Sequence, residues 1–342
     1  MRLVHGGARA SRSVSISRQV CLPAAFLSAG LLVAGCGLVG GTSGGASAQG
    51  NLTITVAAVP GVADAPLYVA SKDGLFRQHG LNVKIISYPS LRQEILALKN
   101  GRADIAAGDY ADFFYQESRN HLKLRLLADG YDAAPNVMAV LTLPNSRIKS
   151  PQDLVNKTVA TPAAQAIKPT SNLPYSMEML ATQAVLRTDG VGPTSIHWVG
   201  MPQADMIRAL HTGQVDAIVA TEPYIFQAES KLGAIAVLDS CSGVTSGLPL
   251  LGYFSLATFA TGHAQAVQVF KSALVQAQAN ATMRGPVQAM LTSSMDVSDA
   301  ALLTFGEYPT FLSVGQVQRV ADLMYDSGMI ANPLAVRTLV SG

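Results

Sequence analysis

Gly101-Arg102-Ala103-Asp104-Ile105-Ala106-Ala107 ends an amphipathic run and opens an apolar one. Gly213-Gln214-Val215-Asp216-Ala217-Ile218-Val219 does the same 112 residues later. Each apolar run then meets an acid and a tyrosine, Asp109-Tyr110 in the first copy and Glu222-Pro223-Tyr224 in the second. A helix that stops at glycine and yields at once to a short strand is part of a strand–helix alternation, so the chain carries two α/β blocks. Asp104 and Asp216 fit the turn before each strand, where an aspartate bonds nearby backbone. They are read as buried turn residues and not as ligands.

Outward from these two points the alternation continues. Apolar strands are expected at 53–59, 83–87, 103–107, 123–128 and 137–143, with Pro144 breaking the pattern. In the second block they are expected at 158–160, 195–199, 215–220 and 235–238, and a further strand at 253–259. Helices are expected over 66–79, stopped by Gly80, and over 91–100, stopped by Gly101. In the latter Leu91, Ile95 and Leu98 share one face, and glycine just past the end suits the left-handed position of a helix C-terminus. Ser150-Pro151-Gln152-Asp153-Leu154 reads as a short capped helix with proline in its first turn. Longer helices are expected at 175–187, 203–211, 264–283, 298–305 and 316–327.

The first 35 residues carry four arginines and no acid, an apolar segment from Val20 to Leu32, and a small-residue run ending at Cys36. That is the make-up of a secretory signal and not of a membrane span. Removing it leaves 20 basic against 22 acidic residues, so no basic surface points to nucleic acid. Residues 36–50 are a Gly/Ser/Ala tether, flexible and uncharged. About 290 residues follow, suited to two lobes. Cys241 is the one thiol beyond Cys36, so no internal disulfide is expected. The histidines after the leader, at 79, 121, 197, 211 and 263, have no ligand-like spacing to one another, and no metal or other cofactor is expected.

Leu32-Val33-Ala34-Gly35-Cys36 resembles the lipobox of bacterial lipoproteins, in which the cysteine is lipidated and becomes the first mature residue. The resemblance implies a protein on the outer face of a bacterial cell membrane, tethered through Cys36. A second resemblance rests on Ala65-Pro66-Leu67-Tyr68-Val69-Ala70, Gly74-Leu75-Phe76, Gly80-Leu81-Asn82-Val83 and the Gly101 segment. It continues through Ile148-Lys149-Ser150-Pro151-Gln152-Asp153-Leu154, Val215-Asp216-Ala217 and Glu222-Pro223-Tyr224. In order and spacing these resemble the substrate-binding proteins of ABC importers, the family that includes nitrate-, sulfonate-, taurine- and thiamine-precursor-binding proteins. The resemblance implies an α/β, two-lobed type II periplasmic-binding-protein fold with two crossing strands as hinge. Lobe one is then 52–143 plus 252–342, lobe two is 144–251, and the crossings fall near 137–143 and 250–259. It implies a monomer that captures a small organic ligand between its lobes and presents it to an ABC permease and its ATPase. A sulfonate-like anion leads on the family's range of ligands, with a pyrimidine or thiamine precursor next.

Ligands of open α/β sheets lie outside the carboxyl ends of the strands, which selects the candidate contacts. In lobe one these are Asp64, Pro66 and Tyr68, with backbone N–H groups near Leu67 and Tyr68 able to face an anion, and Gly108, Asp109 and Tyr110. In lobe two they are Thr161, Gln165 and Asn172, with Lys168 as a possible anion clamp, and Glu222 and Tyr224. Asp109 and Glu222 serve equally as helix caps, Tyr110 and Tyr224 as packing residues, and Trp198 as core. A cationic or heterocyclic nitrogen ligand would call on Asp64, Asp109 or Glu222. No catalytic residue is assigned: Gly243-Val244-Thr245-Ser246-Gly247 has the wrong spacing for a nucleophile elbow, and no phosphate-binding glycine loop occurs. The alternatives are a tethered ligand sensor without transport, or a pyrimidine-synthesising enzyme of the same fold. Those enzymes carry a cysteine-rich motif that this chain lacks.

Overall fold

The computed structural model describes residues 52–162, 176–292 and 295–340. Ten strands occur there: β1 (Leu52–Ala58), β2 (Leu81–Ser87), β3 (Ile105–Asp109), β4 (Leu124–Asp132), β5 (Met138–Thr142), β6 (Thr158–Pro162), β7 (His197–Met201), β8 (Ala217–Thr221), β9 (Ile235–Asp239) and β10 (Pro249–Leu256). The helices are α1 (Ala65–Lys72), α2 (Leu75–Gln78), α3 (Leu91–Lys99), α4 (Tyr110–Ser118), α5 (Met177–Thr188) and α6 (Gln203–His211). They continue with α7 (Tyr224–Leu232), α8 (Ala257–Gly262), α9 (Ala264–Ala281), α10 (Gly285–Leu291), α11 (Val297–Leu302) and α12 (Val314–Asp326). The expected strands all form. The helix expected over 66–79 is two, because Gly74 at φ +71° turns the chain between α1 and α2. Ser150–Leu154 forms a 3-10 turn in which Asp153 accepts the Ser150 N–H at 2.9 Å.

The strands form two five-stranded sheets, ordered β2-β1-β3-β10-β4 and β7-β6-β8-β5-β9. In each, the first three strands are parallel, with the earliest strand in the middle. The fourth strand is antiparallel to both its neighbours. That fourth strand is supplied by chain returning from the other sheet: β10 follows β9, and β5 follows β4. The chain therefore passes between lobes at 133–137 and 240–248. Both passages are earlier than the sequence suggests: β5 is already bonded to β8 and β9 of the second sheet, and β10, from Pro249, to β4 and β3 of the first. An apolar run with Pro144 behind it marks where a strand ends but not which sheet receives it.

Helices pack on the sheets through large buried side chains. Phe113 of α4 stacks on Phe254 of β10 with ring centroids 4.3 Å apart, and Phe76 of α2 stacks on Phe270 of α9 at 5.5 Å. Fully burying a phenylalanine is worth about 1.5–3 kcal/mol, so these contacts fix where each helix begins relative to the strand it follows. Gly101 at φ +65° ends α3 and sets the register of β3. Asp104 and Asp216 take structural roles, though not as the sequence suggests. Each carboxylate accepts the N–H of the neighbouring first strand, Thr55 at 2.7 Å and Thr158 at 2.8 Å. Each backbone N–H returns a bond of 2.8 Å to the same residue's carbonyl. Neither is buried as expected: Asp104 is partly exposed and Asp216 fully so, because the bond needs the carboxylate at the sheet's edge and not beneath it.

Candidate functional site

β1 delivers the chain into the loop 59–64 and then α1. Asp64 stands at the N-cap of α1, yet its side chain caps nothing. The reason is local. Pro66 has no N–H, and the Leu67 N–H is spent on the Asp64 backbone carbonyl at 3.1 Å. The expectation that the Leu67 N–H greets an anion therefore fails for a reason built into this turn. Asp64 itself is 3% exposed, with Oδ1 unpartnered. Pro66 is buried in the first turn, and Tyr68, partly buried, shares a hydrogen bond of 3.2 Å with Ser87.

β3 ends at Asp109, which caps α4: Oδ1 accepts from the N–H groups of Ala111 at 2.6 Å and Asp112 at 3.2 Å. Its Oδ2 accepts the Met177 N–H at 2.7 Å, and Met177 opens α5 of the second lobe. One buried carboxyl thus serves two helix N-termini on opposite sides of the lobe boundary. Gly108 is held by packing, since a Cβ there would lie 2.4 Å from the Phe113 ring. Tyr110, a candidate contact that the sequence also reads as a packing residue, packs and does not reach a ligand. It is fully buried, donates to Asp129 Oδ1 at 2.9 Å and meets Phe114 and Phe254 edge-on.

In the second lobe Thr161 ends β6, fully buried, with Oγ1 unpartnered. Gln165, Lys168 and Asn172 lie outside the described residues, as does Cys36. Glu222 follows β8 before a cis bond to Pro223. Its Oε2 accepts the Phe226 N–H of α7 at 3.1 Å, and its Oε1 accepts the Thr304 N–H at 3.1 Å. Thr304 belongs to the segment that reaches the first lobe, where Glu307 bridges to Asp132 and Tyr308 donates to the Val62 carbonyl at 2.7 Å. Tyr224 packs on the second lobe's own core cluster.

The sequence reading passed over the most heavily buried acid at these strand ends. Glu94 lies in the first turn of α3, wholly buried, with neither carboxylate oxygen hydrogen-bonded. The Val59 N–H is near enough to favour its charged form but makes no bond of good geometry. A signal was present: Glu94 falls on the same helical face as Leu91 and Leu98, an acid in an apolar stripe. Burial, then Asp64 and Asp112, hold the Glu94 carboxyl well above the usual range. Burial also raises Asp64 and Glu178. It raises Asp109 too, aided by Asp112 and Glu178, and pushes Asp112 up to about 7, aided by Glu178. Asp64, Glu94, Asp112, Glu178 and Asp109 so form a continuous line of acids. The ion pair found among the described residues, Arg208 with Asp205, is an exposed one on α6.

A family model described as NMT1/THI5 like matches residues 63–289, well over half of the chain. The chain belongs to the NMT1/THI5-like family. No curated protein sequence matches it. Among solved structures, this family member resembles the alkanesulfonate-binding protein SsuA from Xanthomonas axonopodis pv. citri bound to MOPS. The TM-score is 0.69 at 18% identity, over 84% of this chain and 98% of that one. The ligand-binding component of an ABC-type import system from Staphylococcus aureus, with zinc bound, aligns at TM-score 0.70 and 15% identity over 85% and 96% of the two chains. The desulfurization enzyme DSZB aligns at TM-score 0.63 and 14% identity over 85% and 96%. At these identities the likeness establishes the fold, the two-lobed type II periplasmic-binding-protein arrangement, which binding proteins and an enzyme share. No helix among the described residues is long and apolar enough to cross a membrane.

Proposed function

We propose that this NMT1/THI5-like protein is the extracytoplasmic solute-binding subunit of an ABC importer, holding a small organic ligand between its lobes. The observation that carries the reading is the pair of cross-lobe carboxylates. Asp109 at the end of β3 bonds α5, and Glu222 at the end of β8 bonds the segment of Thr304. The carboxyl ends of parallel strands from both sheets therefore face a common boundary, the place where open α/β sheets bind ligands. Family membership and the shared fold support the same reading. The leader with Cys36 supports a lipid anchor, the tether 36–50 a reach from the membrane, and the two passages between lobes a hinge about which the lobes close on ligand. Permease and ATPase are the partners of such a subunit, and it works as a monomer.

Catalysis has little to draw on. Cys241, the described thiol, is 1% exposed, and burial together with Asp239 raises its pKa far above the ordinary value, which leaves it a poor nucleophile. The reading is tested by thermal shift against sulfonates, nitrate, pyrimidines, flavin precursors and polyamines. A ligand present at 100 times its Kd adds about 2.7 kcal/mol and raises the midpoint by a few degrees. One chemical class doing so supports a binding protein, and silence across the panel counts against it. Cys36→Ala should move the protein from the membrane to the soluble fraction, and retention would defeat the anchor.

A further inference from the structure

Four helices begin at the strand ends that face the lobe boundary, and in each of them N–H groups of the first turn are engaged within the protein. At α1 the Leu67 N–H is taken by a backbone carbonyl, and Pro66 has none. At α4 Asp109 takes two, and at α5 Asp109 and Ser176 take the N–H groups of Met177 and Met179. At α7 Glu222 takes that of Phe226. What remains unpartnered is mainly carboxylate oxygen, with two hydroxyls that can donate or accept. Both oxygens of Glu94, Asp64 Oδ1, Glu178 Oε2, Thr161 Oγ1 and Tyr253 Oη are buried without a hydrogen bond. Glu94, Thr161 and Tyr253 are wholly buried, and Tyr253 pairs with Ala107, the neighbour of Gly108, whose Cβ position would lie 3.3 Å from Glu94 Oε2. A buried carboxylate without a counter-charge costs several kcal/mol, and an unpartnered buried oxygen costs about 1–3 kcal/mol. Among the described residues, the charged neighbours that shift these carboxyls are other acids.

We propose that the ligand is a small organic cation with N–H donors, a primary ammonium or amidinium, whose head group is received by Asp64 and Glu94 with Tyr253. This rests on the binding-protein reading above and fixes the sign of its ligand. Directional N–H groups are required because the unmet need is for donors as well as charge; a quaternary ammonium meets only half of it. A bare metal ion is disfavoured, since among the described residues no three acidic, histidine or cysteine side chains converge as a metal shell. With the lobes packed as they are, the receiving oxygens are sealed, so the ligand enters as the lobes part. Binding also displaces protons. Among the described residues the groups around Glu94 and Asp64 are Tyr68 of α1, Tyr253 of β10, Tyr308, Asp112 of α4 and, beyond it, Glu178 of α5; the nearest base, Arg284, acts on Tyr308 and is engaged by the Leu303 carbonyl and the Phe305 ring. The free protein keeps these carboxyls protonated to higher pH than usual, and a cation favours their ionised form.

The test is calorimetric titration of the purified protein with ligands matched in body and differing in head: ammonium, amidinium, trimethylammonium and sulfonate on ethyl, butyl and benzyl groups. Ammonium or amidinium heads should bind at least tenfold tighter than their trimethylammonium and sulfonate counterparts. Their affinity should rise with pH by up to tenfold per unit below neutrality, with proton release seen as a buffer-dependent enthalpy. Glu94→Gln, which keeps shape and removes charge, should weaken binding at least tenfold while the melting midpoint of the free protein holds or rises. Tight sulfonate binding would leave a binding protein standing and overturn the cation. Cation binding unchanged in Glu94→Gln would overturn the site. Failure of every head group would count against the binding-protein reading itself.

Discussion

Asp109 and Glu222 occupy equivalent places, the ends of the third strands in the two sheets, and each caps the following helix while reaching to the other lobe. They differ in depth. Asp109 satisfies three N–H groups from a site 6% exposed, with the shorter side chain seated directly on the helix N-terminus. Glu222 satisfies two from a partly exposed site, and its longer side chain passes over Pro223 to reach Phe226. The same sequence device therefore gives a tighter joint on one side and a lighter contact on the other. Separation of the lobes should cost less at Glu222 than at Asp109.

Substitutions can break this comparison. Asp109→Ala strands three buried donors at once and should lower stability by about 3–5 kcal/mol in urea denaturation; a loss under about 1 kcal/mol would remove the asymmetry. Asp109→Asn should recover part of it, since one oxygen remains to cap α4. Glu222→Ala should cost about 1–2 kcal/mol, because water can replace its carboxylate in a partly open site. Next in size is an effect of pH. Burial, aided by Glu178, pushes the Asp112 carboxyl up to about 7 in the folded protein from its ordinary 3.8, so between those values the folded chain holds a proton that the unfolded chain releases. The resulting stability is complete below pH 4 and is lost as pH rises through 7. The melting midpoint should fall by a few degrees across that window in the free protein, and Asp112→Asn should flatten the slope. Smallest are the paired turn aspartates. Asp104→Ala should cost about 1 kcal/mol and Asp216→Ala less, the partly buried carboxylate outweighing the exposed one.

The strands were legible because glycine and alternating polarity bracket them, and because the Gly101 and Gly213 segments carry the same signal twice. Helices α4 and α7 were not, since each begins directly at the acid and tyrosine that read as a ligand loop. Tyr110 and Phe113 pack on Phe254 of β10, a strand about 140 residues later in the chain. Sheet membership of β5 was hidden for a similar reason: pairing across 80 residues leaves no local mark. The acids divide along the same line. Asp64, Asp109 and Glu222 follow strands and could be found by position. Glu94 and Glu178 sit within helices, and only their place among apolar neighbours distinguishes them from solvated residues.

The exchange of fourth strands has a consequence for how the molecule comes into being. β4 pairs with no strand but β10, and β10 is not made until residue 256. The first sheet therefore cannot be completed by the first half of the chain, however long it waits. Until β10 is made, the edge of β4 that it covers has no partner strand. The exchange also means that neither lobe can be cut free as an independent fragment. Any fusion or reporter should be attached at the ends and not inserted between the halves.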